Sequence, residues 1–319
     1  MASPGLLIAY QAEDFPDKSI SNGHSELNVT WDDILWAAVT IARPYGSRGF
    51  RNVTASGFEA VRRWSTIRTA IEQSNSSRPR LQQTNSFIGL DPTEKGFINY
   101  FVGMTFCKLF ASKILDRPWL LHLDIYKDKL GVIFKRGKSR PDFIGRSRDL
   151  NKWYAFECKG RSSPPGDKEK AKAKRQARRV RSVSGKTCAM HIAAITYFKS
   201  NVLQFYWCDP PIDKYGVDIP FQSTDWSYYY SPIVGYLKSQ SSPRALILRD
   251  RLSEGPDIEA SLHSSVRNYL LSEQWEFAQK AAIEAKNDIV ADGYQPDGIL
   301  VKAGESWLHR FKGPLNSPF

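Results

Sequence analysis

Residues 152–160, "KWYAFECKG", alternate with a period of two, and no other stretch constrains the fold so tightly. In an extended strand successive side chains point to opposite faces of the sheet. Tyr154, Phe156 and Cys158 then share an apolar face that needs a covering layer. Trp153, Ala155, Glu157 and Lys159 share the other. Such a strand delivers a carboxylate and an ammonium, two residues apart, to one point on one face.

The flanking periodicities place this strand in an ordered series. Asp91 as N-cap, Pro92 at the first helical position and Glu94 at the third open a helix over 91–115. Its apolar residues recur at Phe97, Phe101, Met104, Phe106, Leu109 and Phe110. Strand patterns follow at 118–126, within 132–145 and at 152–160. A basic helix is expected over 167–183, with a narrow face of Ala173, Ala177 and Val180. Residues 187–198 are apolar nearly throughout, which suits a strand covered on both sides, and 202–208 read as one more strand. The expected class is therefore α/β, with a core over 86–240 in the order helix, three strands, helix, strand. Residues 1–85 read as mostly helical, with 74–86 as a loop. Residues 241–319 read as a mostly helical C-terminal region closed by a short strand, "DGILVK".

Charge is concentrated in one place. Of the net +12, the window Lys135–Lys186 holds 18 Lys/Arg against 5 Asp/Glu, while the remainder holds 27 against 28. A basic region of this density is the electrostatic footprint of a polyanion binder. A solvated helix that confers only solubility is the competing reading.

Several classes are excluded or unsupported. The longest apolar run, "ILWAAVTIA", is nine residues, too short to cross a membrane. The first fifteen residues lack a basic segment ahead of an apolar one, so a cytoplasmic protein is expected. Cys107, Cys158, Cys188 and Cys208 show no metal spacing and read as buried, reduced thiols. The five histidines are isolated, with His122 and His191 in apolar strand patterns typical of core residues. Neither a GxSxG nor a GxxxxGK[ST] motif occurs. The aromatic stretch "DWSYYYSPIVGYL" reads as a core edge in preference to a platform for stacked bases.

If 140–145 and 153–159 form an antiparallel hairpin, Asp142 lies opposite Glu157. Two carboxylates and a lysine then meet at one edge of the sheet. Two carboxylates with substrate phosphate oxygens are a common way to hold Mg²⁺, which keeps several waters. Pro141-Asp142 followed by Glu157-Cys158-Lys159, on this order of elements, resembles the PD-(D/E)xK nuclease superfamily. The resemblance covers about residues 91–210.

The resemblance implies a restriction-endonuclease-like core (αβββαβ, a mixed sheet flanked by helices) with helical N- and C-terminal additions. It implies Mg²⁺-dependent phosphodiester cleavage, with Mn²⁺ as a substitute, on nucleic acid and on DNA before RNA. Asp142 and Glu157 would be metal ligands and Lys159 the catalytic lysine. Glu94 would add a carboxylate from the first helix, although a helix-start glutamate explains it equally well. Gln176 would approach the site from the basic helix, against a solvated position there. Lys174, Arg175, Arg178, Arg179 and Arg181 would contact phosphates. A homodimer and a role in restriction, anti-phage defence or a mobile element follow by analogy with that fold. Two alternatives stay open: a non-catalytic nucleic-acid-binding module, and a scaffold whose basic helix meets an acidic protein.

Single fragments of the motif are weak. Pro-Asp recurs at Pro16-Asp17, Pro256-Asp257 and Pro296-Asp297, and Glu-x-Lys at Glu284-Ala285-Lys286. The latter sits in a helical pattern, where residues two apart diverge. Asp142, Glu157 and Lys159 alone fall on strands inside the basic window.

Overall fold

The structure is a computed structural model that describes residues 5–16, 20–41, 53–126, 140–211, 216–240 and 258–308. Strands β1 (Leu6–Glu13) and β2 (Gly23–Val29) form a hairpin. Helices α1 (Trp31–Thr40) and α2 (Val53–Ala70) follow. Short strands β3 (Ile71–Gln73) and β4 (Leu81–Gln83) and a short helix α3 (Asn85–Gly89) lead into α4 (Pro92–Lys113). Next come β5 (Leu120–His122), β6 (Phe143–Arg146), β7 (Trp153–Arg161), α5 (Asp167–Ala177), β8 (Val180–Val183), β9 (Lys186–Lys199) and β10 (Val202–Cys208). The chain continues through β11 (Val217–Ile219) and α6 (Ser227–Gln240). It then runs through β12 (Ile258–Leu262), α7 (Ser264–Leu271), α8 (Trp275–Glu284), α9 (Lys286–Ala291) and β13 (Ile299–Ala303).

The main sheet is mixed, in the order β2-β1-β10-β9-β7-β6-β5. β5, β6 and β7 are antiparallel, β7 and β9 are parallel, and β10 runs antiparallel to β9 and parallel to β1. Helices cover both faces. On one, Phe110 of α4 stacks on Phe205 with ring centroids 3.8 Å apart, edged by Tyr10 and Trp207. On the other, Ala173 and Ala177 of α5 pack with Ala193, Ile195, Tyr206 and Cys208. β9 is thus buried on both sides, as its apolar run requires. Helices α1 and α2 pack against α4, and α6 against α2.

Several expectations need correction. Residues 1–85 are not a mostly helical addition: β1 lies beside β10 within the main sheet. Leu6, Ile8 and Ala12 are buried there at strand spacing, although the run is short enough to be passed over as a tail. The expected loop at 74–86 includes β4 and the start of α3. The basic helix ends at Ala177, not 183. Val180 and Val183 belong to β8, which reverses through Ser184 and Gly185, both at positive φ (47° and 75°), into β9. β-Branched residues bounded by a Ser-Gly turn favour that hairpin over another helical turn.

The C-terminal region holds a hairpin of β12 and β13 beside its helices, so "DGILVK" is a strand as expected and 258–262 is not helical. Residues 118–126 are a strand only at 120–122 before a 3₁₀ turn. Asp257 and the stretch 127–139, part of the expected second strand, lie outside the described residues. Among the described residues no helix is long and apolar enough to cross a membrane. All four cysteines are buried free thiols.

Candidate active site

The β6–β7 register pairs Phe143 with Phe156, which makes Asp142 and Glu157 the next rung. The Asp142 N–H donates to the Phe156 carbonyl at 2.9 Å, and the Asp142 carbonyl accepts from Leu123 N–H at 2.8 Å. Asp142 is therefore fixed from both neighbouring segments. Glu157 pairs across β7–β9 with Ala193, which packs under α5, so its side chain belongs to the α5 face.

Glu157 is fully buried, 0% exposed. Neither carboxyl oxygen accepts from a backbone N–H or a hydroxyl among the described residues; the donor that meets it is the Lys159 ammonium, as an ion pair. Burial first, and then the Asp142 carboxylate, push the Glu157 carboxyl up to about 9, against the pull of Lys159 and Lys172. Burial likewise raises Asp142 to about 6, opposed by Lys159, the Cys158 N–H, Tyr100 and Arg140. Asp142 Oδ2 accepts from the Cys158 N–H at 2.8 Å, and Oδ1 from the Tyr100 hydroxyl at 3.4 Å. Burial lowers the Lys159 amine, but the Glu157 carboxylate more than compensates, and the net shift is upward. Lys159 is half-buried, with a third of its side chain in reach of solvent.

A buried carboxylate without a hydrogen-bond donor is costly unless something else supplies positive charge. Glu157, matched among the described residues by one ammonium, and Asp142, whose two oxygens each accept one hydrogen bond and keep lone pairs free, form with the partly open lysine a donor set that fits a hard divalent cation. Asp142 and Glu157 are the two that would hold it. Among the described residues no group of three or more His, Cys, Asp or Glu gathers at one point, so remaining ligands would come from water and substrate.

The structure separates the other expected residues. Glu94 is exposed in the first turn of α4, beside its N-cap. Asp91 there accepts from the Thr93 and Glu94 N–H groups at 2.7 and 3.3 Å. The Thr93 N–H first, and then a hydrogen bond shared with Glu94, lower Asp91, and that shared bond raises Glu94. Tyr100 lies six residues further on, about 9 Å along the helix axis.

Gln176 is buried on α5, not solvated, and its Oε1 has no hydrogen-bond partner among the described residues. It lies four residues after Lys172, on the same helix face. Lys174 is engaged elsewhere, 2.9 Å from Asp14 and 3.6 Å from Glu13. Arg175 is exposed on α5, Arg178 is its partly buried C-cap, and Arg179 and Arg181 are exposed beyond the helix. Trp226, Tyr229 and Tyr230 of the aromatic stretch are fully buried and closed to a base.

Two neighbours carried no signal in the sequence. Tyr100 has no motif of its own, and His122 looks like any core histidine. Both bear on Asp142. No protein-family model matches this chain, and no curated protein or solved structure matches it.

Proposed function

We propose that this protein is a metal-dependent nuclease that hydrolyses phosphodiester bonds, acting on DNA before RNA. The observation that carries the reading is Glu157: a fully buried carboxylate on the rung of Asp142 that, among the described residues, meets no backbone N–H or hydroxyl donor and has the Lys159 ammonium as its partner. A site built for stability alone would satisfy or omit that group. The order helix, three antiparallel strands and helix, followed after the short β8 by β9 parallel to β7, supports a restriction-endonuclease-like core and the resemblance to the PD-(D/E)xK nucleases.

Asp142 and Glu157 would hold Mg²⁺ or Mn²⁺. Bound there, the cation supplies a Lewis acid that acidifies water and neutralises charge on the phosphate. Lys159, whose amine is shifted upward and so stays an ammonium, acts as a hydrogen-bond donor and fixed positive charge toward a phosphate oxygen or the attacking water. It is not a general base in this state. Arg175, Arg179 and Arg181, exposed near the end of α5 and in β8, contribute phosphate contacts. Lys174, tied to Asp14 and Glu13, contributes less than its position in the sequence promises. A cytoplasmic location, a homodimer that cuts both strands and a role in defence or a mobile element belong to the same reading, by analogy with that fold.

The test is cleavage of supercoiled plasmid, linear duplex, single-stranded DNA and RNA by wild type and Lys159→Ala, in Mg²⁺, Mn²⁺ or EDTA. The expected result is metal-dependent cleavage by wild type, lost by at least about 100-fold in the variant. DNA binding is expected to stay nearly unchanged. Binding without cleavage in any metal by either protein would replace this reading with a non-catalytic binding module.

A further inference from the structure

The Asp142 carboxylate does not reach the site unaided. The Tyr100 hydroxyl lies 3.4 Å from Asp142 Oδ1 and 3.1 Å from His122 Nε2. The other ring nitrogen of His122, Nδ1, accepts from the Asp124 N–H at 3.1 Å. Tyr100 comes from α4, His122 from the end of β5, and Asp142 from the residue ahead of β6. Three separate parts of the fold meet at one phenol.

The polarity of this chain follows from its far end. His122 is buried, and burial, then Arg140 and Arg63, lower its ring to about 3, so it is neutral. With Nδ1 accepting from a backbone amide, the single ring proton sits on Nε2. Nε2–H then donates to the Tyr100 oxygen. The phenol hydrogen is left for Asp142 Oδ1. The opposite oxygen, Oδ2, already accepts from Cys158 N–H at 2.8 Å. Each carboxylate oxygen thus takes one donor and keeps lone-pair capacity for a cation. A neighbouring hydrogen-bond chain that fixes a ligand in this way commonly sets metal affinity.

We infer that Tyr100, oriented by His122, is a positioning residue that holds the Asp142 carboxylate for the divalent cation. This inference deepens the nuclease reading and rests on it. Tyr100 is not a catalytic residue, since its contacts are with Asp142 and His122. Tyr100 is 39% exposed, so the phenol joins solvent to the buried Asp142–His122 contacts.

The experiment is a Mn²⁺ titration followed by electron paramagnetic resonance, on protein without nucleic acid. Thermal melts confirm that each variant is folded at the working temperature. Four proteins are compared: wild type, Tyr100→Phe, Asp142→Asn and Asn99→Ala. Asn99→Ala removes the bond from Asn99 Nδ2 to Ser162 Oγ (2.8 Å), another tie between α4 and the end of β7 that leaves Asp142 untouched.

The expected outcome is binding by wild type, none by Asp142→Asn, a loss of roughly tenfold in Tyr100→Phe and little change in Asn99→Ala. Unchanged affinity in Tyr100→Phe would overturn the inference while the nuclease reading stands. Equal losses in Tyr100→Phe and Asn99→Ala would also overturn it, by showing that any loosening of α4 suffices. No Mn²⁺ binding by wild type would remove the metal-site reading and the inference with it.

Discussion

Glu157 sits where a stable protein would prefer an apolar or amide side chain. Its ordinary value of 4.5 is pushed up to about 9, so the folded state holds this proton more tightly than the unfolded chain. Its contribution to stability is therefore complete below about pH 4.5 and declines as pH rises toward about 9. Glu157→Gln keeps the shape and removes the titration. In metal-free urea denaturation the variant should gain on wild type by about 1–3 kcal/mol between about pH 5 and about pH 9. A constant difference over that range would mean that the carboxyl is ionised beside Lys159 throughout.

Asp142, Glu157 and Lys159 were legible because a strand's period of two and a hairpin's register convert sequence spacing into distance. Tyr100 and His122 were not, because periodicity reports which face is buried and not which hydroxyl reaches which carboxylate. For Gln176 the basic run around it hid a buried position: Ala173 and Ala177 draw that flank of the helix onto the sheet.

At the scale of elements, the site depends on how closely α4 crosses β7. A Cβ at Gly160 would fall on the carbonyl of Asn99, and one at Gly103 would stand 2.7 Å from Gly160 N and from the Lys159 carbonyl carbon. Two glycines facing each other let backbone approach backbone one residue from Lys159, within one turn of Tyr100. Gly160→Ala should therefore destabilise the fold by about 3 kcal/mol in urea denaturation, because backbone cannot yield as a flexible side chain can. A cost below about 1 kcal/mol would mean that α4 slides without resistance.

Among the elements, α4 was readable from its cap and apolar repeat, and β7 and β9 from alternation and unbroken hydrophobicity. β1 was not, because eight residues near a terminus carry too little pattern to reveal a partner almost 200 positions away. The overrun of α5 has a different origin. Basic residues suit a helix or an exposed strand equally, so only the Ser184-Gly185 turn marks the change.

For the whole molecule, the described N-terminal and C-terminal hairpins are both built into the fold that carries the site. The N-terminal hairpin widens the sheet, and the C-terminal hairpin docks on α1, where Asp32 Oδ1 accepts from Ala303 N–H at 2.8 Å and Gln295 Nε2 donates to Asp33 Oδ1 at 2.6 Å. At the centre lies Asp297, whose Pro-Asp in the sequence resembled a stray motif fragment. It is fully buried and accepts from Trp36 Nε1 at 2.9 Å, the Tyr229 hydroxyl at 2.6 Å and Ile299 N–H at 3.1 Å. Lys108 of α4, also fully buried, donates to that same Tyr229 oxygen and to the Pro118 carbonyl, both at 2.7 Å. Burial lowers the Lys108 amine to about 7, and the Asp297 carboxylate pulls it back upward.

One charge thus answers the other through a phenol, joining α1, α4, α6 and the C-terminal hairpin. Removing either partner alone strands its counterpart without water. Asp297→Asn should cost about 3–5 kcal/mol, and Lys108→Met a similar amount. Lys108→Met with Asp297→Asn should cost far less than the sum, because no buried charge remains and the amide can still accept from Trp36 and Ile299. Urea denaturation of the three variants measures the coupling directly. Additive losses would mean that Lys108 and Asp297 do not sense each other, and that the C-terminal hairpin is held by its apolar contacts alone.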